Sequence, residues 1–170
     1  MTYRKPSREE KTLINRALDR WGAFEFFKGK ELVIQENGSK LVCLVAGGVE
    51  AIMRLQPYLA GLAIGELKKQ FVPSMAGADL FARSGKGNEF YIIVNEVAEK
   101  LILYGRDIMG GSIVEASGTL GENELVIVLN RGLEVIGIGR TRFAGSSLLQ
   151  KGKVTVTTVA DAGYYLREEG

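Results

Sequence analysis

Five cations, Arg131, Arg140, Arg142, Lys151 and Lys153, fall between residues 130 and 153 against a single acid, Glu134. The chemistry open to such a cluster is electrostatic: it can neutralise phosphates and release their condensed counterions. The whole chain carries only +2, so the excess is local; a solvated rim that keeps the protein in solution is the other reading of the same residues. Covalent chemistry has less to work with. The chain has no histidine and one cysteine, Cys43, which excludes Ser-His and Cys-His nucleophile pairs, an imidazole general base and a metal site built from cysteine and histidine. Asp107 and Asp161 lie in turn contexts where aspartate bonds the local backbone, and no carboxylate pair converges in the sequence. We therefore expect no catalytic residue, no metal and no cofactor.

The elements that must position these cations are strands. Residues 125–129 form a wholly apolar run suited to a buried strand, and Asn130-Arg131-Gly132 supplies turn chemistry. A second strand is expected over residues 134–142. Within it Gly137 and Gly139 share one face, where a second backbone or a ligand can approach closely. Ile136, Ile138, Arg140 and Arg142 share the other, which runs from apolar to basic toward a charged rim. Gly137-x-Gly139 lacks the third glycine and the following helix of a dinucleotide site.

Around this pair, residues 90–94, 100–103, 113–117 and 154–159 read as further strands, with residues 164–166 a final extended stretch. Many short strands punctuated by glycine imply a small barrel or sandwich. Tyr104, Tyr164 and Tyr165 can offer base-stacking faces, although residue type alone favours partial burial with the hydroxyl at the surface.

The first half has a different character. Ser7-Arg8-Glu9-Glu10 fits a capping box, and Leu13, Ile14, Ala17, Leu18 and Trp21 recur at helical spacing up to Gly22. Residues 32–35 and 41–46 form a hairpin about Asn37-Gly38. A short helix follows over residues 49–56, opened by Gly47-Gly48 as ordinary helix initiation and ended by Pro57. Residues 66–72 are expected to be a strand whose Lys68 and Lys69 either protect a solvated edge or contact a ligand, and residues 75–82 a short helix. Segment 84–88, Ser-Gly-Lys-Gly-Asn, is the most linker-like in the chain. The fold class is therefore α+β: a small N-terminal α/β domain, an antiparallel sheet with helices, in residues 1–88, and a C-terminal β domain in residues 89–170. With 46% hydrophobic residues the chain can bury a core. It lacks a signal-type segment or a run of about 18 apolar residues, so the expectation is a cytoplasmic protein with no membrane contact.

The second half resembles a PUA domain, an RNA-binding pseudo-barrel. The resemblance rests on the Tyr104–Gly111 turn, on Gly121-Glu122-Asn123-Glu124-Leu125-Val126-Ile127-Val128, on Ile136-Gly137-Ile138-Gly139 and on Lys151-Gly152-Lys153-Val154. With Leu103-Tyr104-Gly105 and the terminal Ala160-Asp161-Ala162-Gly163-Tyr164, the chain is similar to the Nip-seven family of large ribosomal subunit biogenesis factors, as a homologue of prokaryotic or archaeal type. That resemblance implies a PUA-type pseudo-barrel behind a pre-PUA domain. It implies binding to precursor ribosomal RNA, together with ribosome-assembly proteins as partners, and it places the RNA-binding residues at Arg140, Arg142, Lys151 and Lys153. The tyrosines direct the expectation to single-stranded regions, and Arg131 and Arg106 are added as further candidate cations. The RNA-recognition subunit of a modification enzyme, and a protein-interaction module whose basic rim meets an acidic partner, are the alternatives.

Overall fold

The computed structural model describes residues 1–85, 89–164 and 167, and the chain divides into two compact units, Met1–Lys86 and Gly87–Gly170. The linker-like segment 84–88 lies partly outside the described residues.

The N-terminal unit is an antiparallel meander of β1 (Thr2–Arg4), β2 (Glu31–Glu36), β3 (Lys40–Val45), β4 (Leu62–Leu67) and β5 (Phe71–Pro73), hydrogen-bonded in that order. Neighbouring residues Val33 and Ile34 are both fully buried. Successive strand residues point to opposite faces, so both faces of the sheet are covered. Helix α1 (Arg8–Arg20) begins at the expected capping box, with Ser7 Oγ accepting from Glu10 N and Glu10 Oε2 from Ser7 N. Helices α2 (Phe24–Phe27), α3 (Val49–Leu55) and α4 (Met75–Ser84) complete the unit. Trp21 and Phe81 stack at 5.6 Å with Phe71 and Phe27 around them. A separate cluster of Tyr3, Val33, Cys43, Val45 and Val49 confirms the lone cysteine as a core thiol, its pKa raised by burial.

The expected β2–β3 hairpin forms, through a three-residue loop in which only Gly38, at φ 72°, is left-handed. One expectation changes here. Residues 66–72 are not one strand but the tip of a hairpin: β4 ends at Leu67, Lys68 N donates to Gln70 O, and β5 starts at Phe71. Lys68 therefore sits in a turn, paired with Glu66 at 2.9 Å, rather than along an edge strand.

The C-terminal unit is a six-stranded sheet in the order β7 (Ile108–Met109), β11 (Val154–Asp161), β10 (Val135–Thr141), β9 (Leu125–Leu129), β6 (Tyr91–Val94), β8 (Ile113–Ala116). All its pairings are antiparallel except β6 with β9. Its two edge strands, β7 and β8, are joined in the chain by the single 3-10 turn Gly110–Ser112. So short a connection brings the edges together and curls the sheet into a nearly closed pseudo-barrel, the expected fold class.

Residues 100–103 are not a strand. They end helix α5 (Glu96–Ile102), which Asn95 caps by accepting from Ala98 N at 3.0 Å, and whose Ala98 and Ile102, one turn apart, plug the barrel core. At the other end Tyr164 has helical rather than extended backbone; residues 165 and 166 lie outside the described residues. Among the described residues no helix is long and apolar enough to cross a membrane.

Candidate nucleic-acid interface

The β9–β10 hairpin carries the cations, and its alternation decides where they point. Thr141 is 2% exposed: its Oγ1 donates to Gly121 O at 2.7 Å and accepts from Glu124 N at 2.9 Å. With Thr141 tied inward, Arg140 and Arg142 on either side must face out. Arg140 Nη1 donates to Asn123 O at 3.1 Å, and Asn123 sits at φ 62°, a left-handed position that asparagine tolerates. Arg142 lies across β11, with Nε donating to Thr157 Oγ1 at 2.7 Å and Nη2 ion-paired to Asp107 Oδ2 at 3.2 Å.

Asp107 does not bond its own turn. Its Oδ1 accepts from Thr158 N at 2.9 Å, and Thr158 Oγ1 donates to Arg106 O at 2.8 Å. The exposed Arg106 is thereby joined to Arg142 through Asp107 and Thr158. The other aspartate singled out, Asp161, is buried at the end of β11 in a bidentate pair with Arg167, at 2.8 and 2.9 Å. Arg167 also donates to Leu103 O.

The β10–β11 connection adds the lysines. Residues Gly145–Leu149 form a 3-10 turn whose Leu148 is fully buried, with Thr155 Oγ1 donating to Leu148 O at 2.7 Å. Beyond it Lys151 packs over Gly111, and Lys153 Nζ lies 5.8 Å from the Phe143 ring centroid. Arg142 N donates to Thr155 O, two residues from Lys153. The structure thus brings Arg140, Arg142, Lys151 and Lys153 to one end of the barrel, with Arg106 alongside.

Arg131 is elsewhere. It sits in the turn that precedes the seven-residue β10, with Arg140 near that strand's end, a separation of about 20 Å at strand rise. Its Nε pairs with Glu96 at 3.3 Å, in a turn fixed by Asn130 Nδ2 donating to Glu99 and Glu134.

The open question about the two glycines is answered by space. A Cβ on Gly139 would lie 2.4 Å from Val156 Cγ1, and one on Gly137 would lie 2.9 Å from Ala160 O. Both are filled by the neighbouring strand β11, so the glycines serve packing and not ligand approach. Of the tyrosines, one goes against expectation. Tyr104 is 72% exposed, with its ring at the surface, whereas Tyr164, at 51%, is half-covered and in keeping with partial burial. Tyr165 lies outside the described residues.

Asn123, Thr157 and Phe143 were not singled out from the sequence, and Asp107 was read there only as a turn residue. Phe143 had a readable signal, an aromatic side chain directly after two arginines in Arg140-Thr141-Arg142-Phe143. The others act across distances that spacing does not reveal. Among the described residues no group of His, Cys, Asp or Glu is placed to hold a metal ion.

Comparison with known proteins matches the same two units. The UPF0113 PUA domain family matches residues 90–170, and the NIP7/UPF0113 pre-PUA domain family matches residues 3–75. A UPF0113 protein of Archaeoglobus fulgidus is 37% identical over 172 residues, covering 99% of this chain and 97% of that protein. Two solved structures share the fold at low identity. A hypothetical protein from Pyrococcus horikoshii has a TM-score of 0.72 at 16% identity, over 98% of each chain. A conserved PUA domain protein from Thermoplasma acidophilum has a TM-score of 0.70 at 17% identity, over 99% of each. The chain therefore belongs to the NIP7/UPF0113 family, with a pre-PUA domain ahead of a PUA domain.

Proposed function

We propose that this protein is a non-catalytic, cytoplasmic RNA-binding factor of large-subunit ribosome assembly. Its PUA domain, residues 89–170, holds single-stranded regions of precursor ribosomal RNA and assists their processing, while residues 1–88 dock an assembly protein. The observation that carries this reading is that Arg140, Arg142, Lys151 and Lys153 lie at one end of the barrel, with the main chain of Arg106 bonded to Thr158, which also donates to Asp107. Exposed Tyr104, toward the Asp161 end of β11 and so away from the lysines, supplies a face on which an unpaired base of the same strand stacks, which suits single strands better than duplex. Arg131, at the far end of the hairpin, meets only an RNA long enough to span the barrel.

Each phosphate neutralised on a single strand contributes about −0.7 to the slope of log K against log salt, so four cations give about −2.8. Fluorescence anisotropy of labelled oligouridylate over a salt series measures that slope. Arg140→Glu with Arg142→Glu should abolish binding. Salt-independent binding, or unchanged affinity in the double variant, overturns the proposal. Co-purification with precursor large-subunit RNA and assembly proteins, rather than with a modification enzyme, tests the assembly role.

A further inference from the structure

The N-terminal unit holds a groove that the RNA surface does not use. It lies between α1, α2 and the loop into β2, and encloses about 390 Å³. Its floor is apolar: Ile14, Leu18 and Phe27 are nearly fully buried, and Phe24 is half-buried beside them. Its rim is cationic, with Lys5, Lys11, Lys28 and Lys30 against one lining carboxylate, Glu31. The groove continues along α1 into a shallower depression of about 500 Å³ that shares Asn15 and Phe24 and adds Thr12, Arg16 and Asp19.

We propose that this groove docks an acidic peptide segment of a protein partner, one apolar side chain seated on the floor and flanking carboxylates meeting the lysines. The inference rests on the reading of residues 1–88 as the protein-docking domain, and it names the chemistry of the partner. Three features select that occupant. The rim is positive and complements carboxylates. Among the described residues Lys5 and Lys28 are engaged by exposed pairs, with Glu50 at 3.1 Å and Glu25 at 3.6 Å, which an incoming carboxylate can replace at little cost. The length of the groove along the helix suits an extended segment rather than a compact small molecule. RNA fits poorly. The side chains of the floor, Ile14, Leu18 and Phe27, offer base edges no hydrogen-bond partner, so a base seated on them would lose bonds to water. Nor is there a free stacking face below, because Phe27 is 4% exposed and set edge-on against both Phe26 and Phe81.

The test is selection of a random linear peptide library on the immobilised full-length chain, followed by anisotropy with the selected peptides. Selected sequences should carry Asp and Glu around an aliphatic or aromatic residue. Lys11→Glu with Lys30→Glu should weaken them at least about tenfold through lost charge complementarity. Asn15→Trp, which plugs the groove at its junction without changing charge, should do the same. All three positions are exposed, so thermal melting should be unchanged. Selection of peptides without that pattern, or affinity unaffected by both variants, overturns the proposal. So does a lysine variant that loses oligouridylate rather than peptide, since that assigns the groove to RNA. Failure of wild-type protein to bind oligouridylate would instead overturn the RNA reading and leave the peptide result standing. An assembly protein that still co-purifies with both groove variants would keep the docking role of residues 1–88 and remove it from this groove.

Discussion

Asp107 holds Arg142, so it competes with whatever phosphate Arg142 would meet. Asp107→Asn removes that competition with little damage, because the amide oxygen still accepts from Thr158 N in place of Oδ1. The Arg142–Asp107 pair is open to solvent, at 47% and 35% side-chain exposure, so breaking it costs under about 1 kcal/mol. A carboxylate roughly 6 Å from an incoming phosphate adds a repulsion of about 0.7 kcal/mol at the dielectric of water. Charge removal therefore strengthens RNA binding by about 1 kcal/mol, or about fivefold in Kd. The salt slope should stay near its wild-type value, since no cation is gained or lost. Anisotropy with oligouridylate measures both quantities. In an Arg142→Glu background the gain should vanish, which a double-mutant cycle shows directly. If Asp107→Asn instead weakens binding, Asp107 orients Arg142 rather than competing for it, and the reasoning fails.

Two further predictions concern the scaffold. Glu10 accepts from Arg4, from Lys40 and from Ser7 N, and the Arg4 guanidinium holds its carboxyl well below the usual carboxylate range. A depressed folded-state pKa contributes stability above the unfolded value of about 4.3 and loses it as pH falls below that. Glu10→Gln should cost about 2 kcal/mol at neutral pH, less than for a fully buried pair because Arg4 and Lys40 are 35% and 49% exposed. It should also flatten the fall in melting temperature between neutral pH and pH 3; a variant that falls as steeply as wild type removes Glu10 as the cause. Gly139→Ala should cost about 2 kcal/mol by crowding Val156 while leaving oligouridylate affinity unchanged at a temperature where the variant is folded. A selective loss of RNA binding would mean the glycine faces ligand after all.

What the sequence made legible was local, and what it hid was distant. Ser7 and Glu10 announce the start of α1 because the capping box closes within four residues. The ion pairs Glu10 makes with Arg4 and Lys40 depend on strands arriving from elsewhere in the chain. The hairpin at Gly38 was readable from Asn37-Gly38, whereas the one at Lys68-Lys69-Gln70 has no glycine, asparagine or proline to mark it. Helix α5 read as a strand because Leu101-Ile102-Leu103 is a short apolar run, which periodicity cannot assign by itself. Arg140 and Arg142 could be placed on one face from the sequence because they sit on a strand with a clear period. Asp107, 35 residues before Arg142, bears on that site only once β7 lies beside β11.

Barrel closure and display of the cations are one structural event. The turn Gly110–Ser112 that brings the sheet edges together packs against residues 148–150 so closely that a Cβ on Gly110 would lie 2.3 Å from Gln150 O. Gly110 N donates to Lys153 O at 2.9 Å, and Leu148 is sunk in the barrel core between the two. The connection that carries Phe143, Lys151 and Lys153 is thereby pinned at its middle and its end by the same contacts that close the sheet. Lysines on a free loop would lose backbone as well as side-chain freedom on meeting RNA; here folding has already fixed the backbone, and only side-chain freedom is left to lose. Arg140 and Arg142, each held by partners on the barrel surface, extend the same preorganised surface along β10.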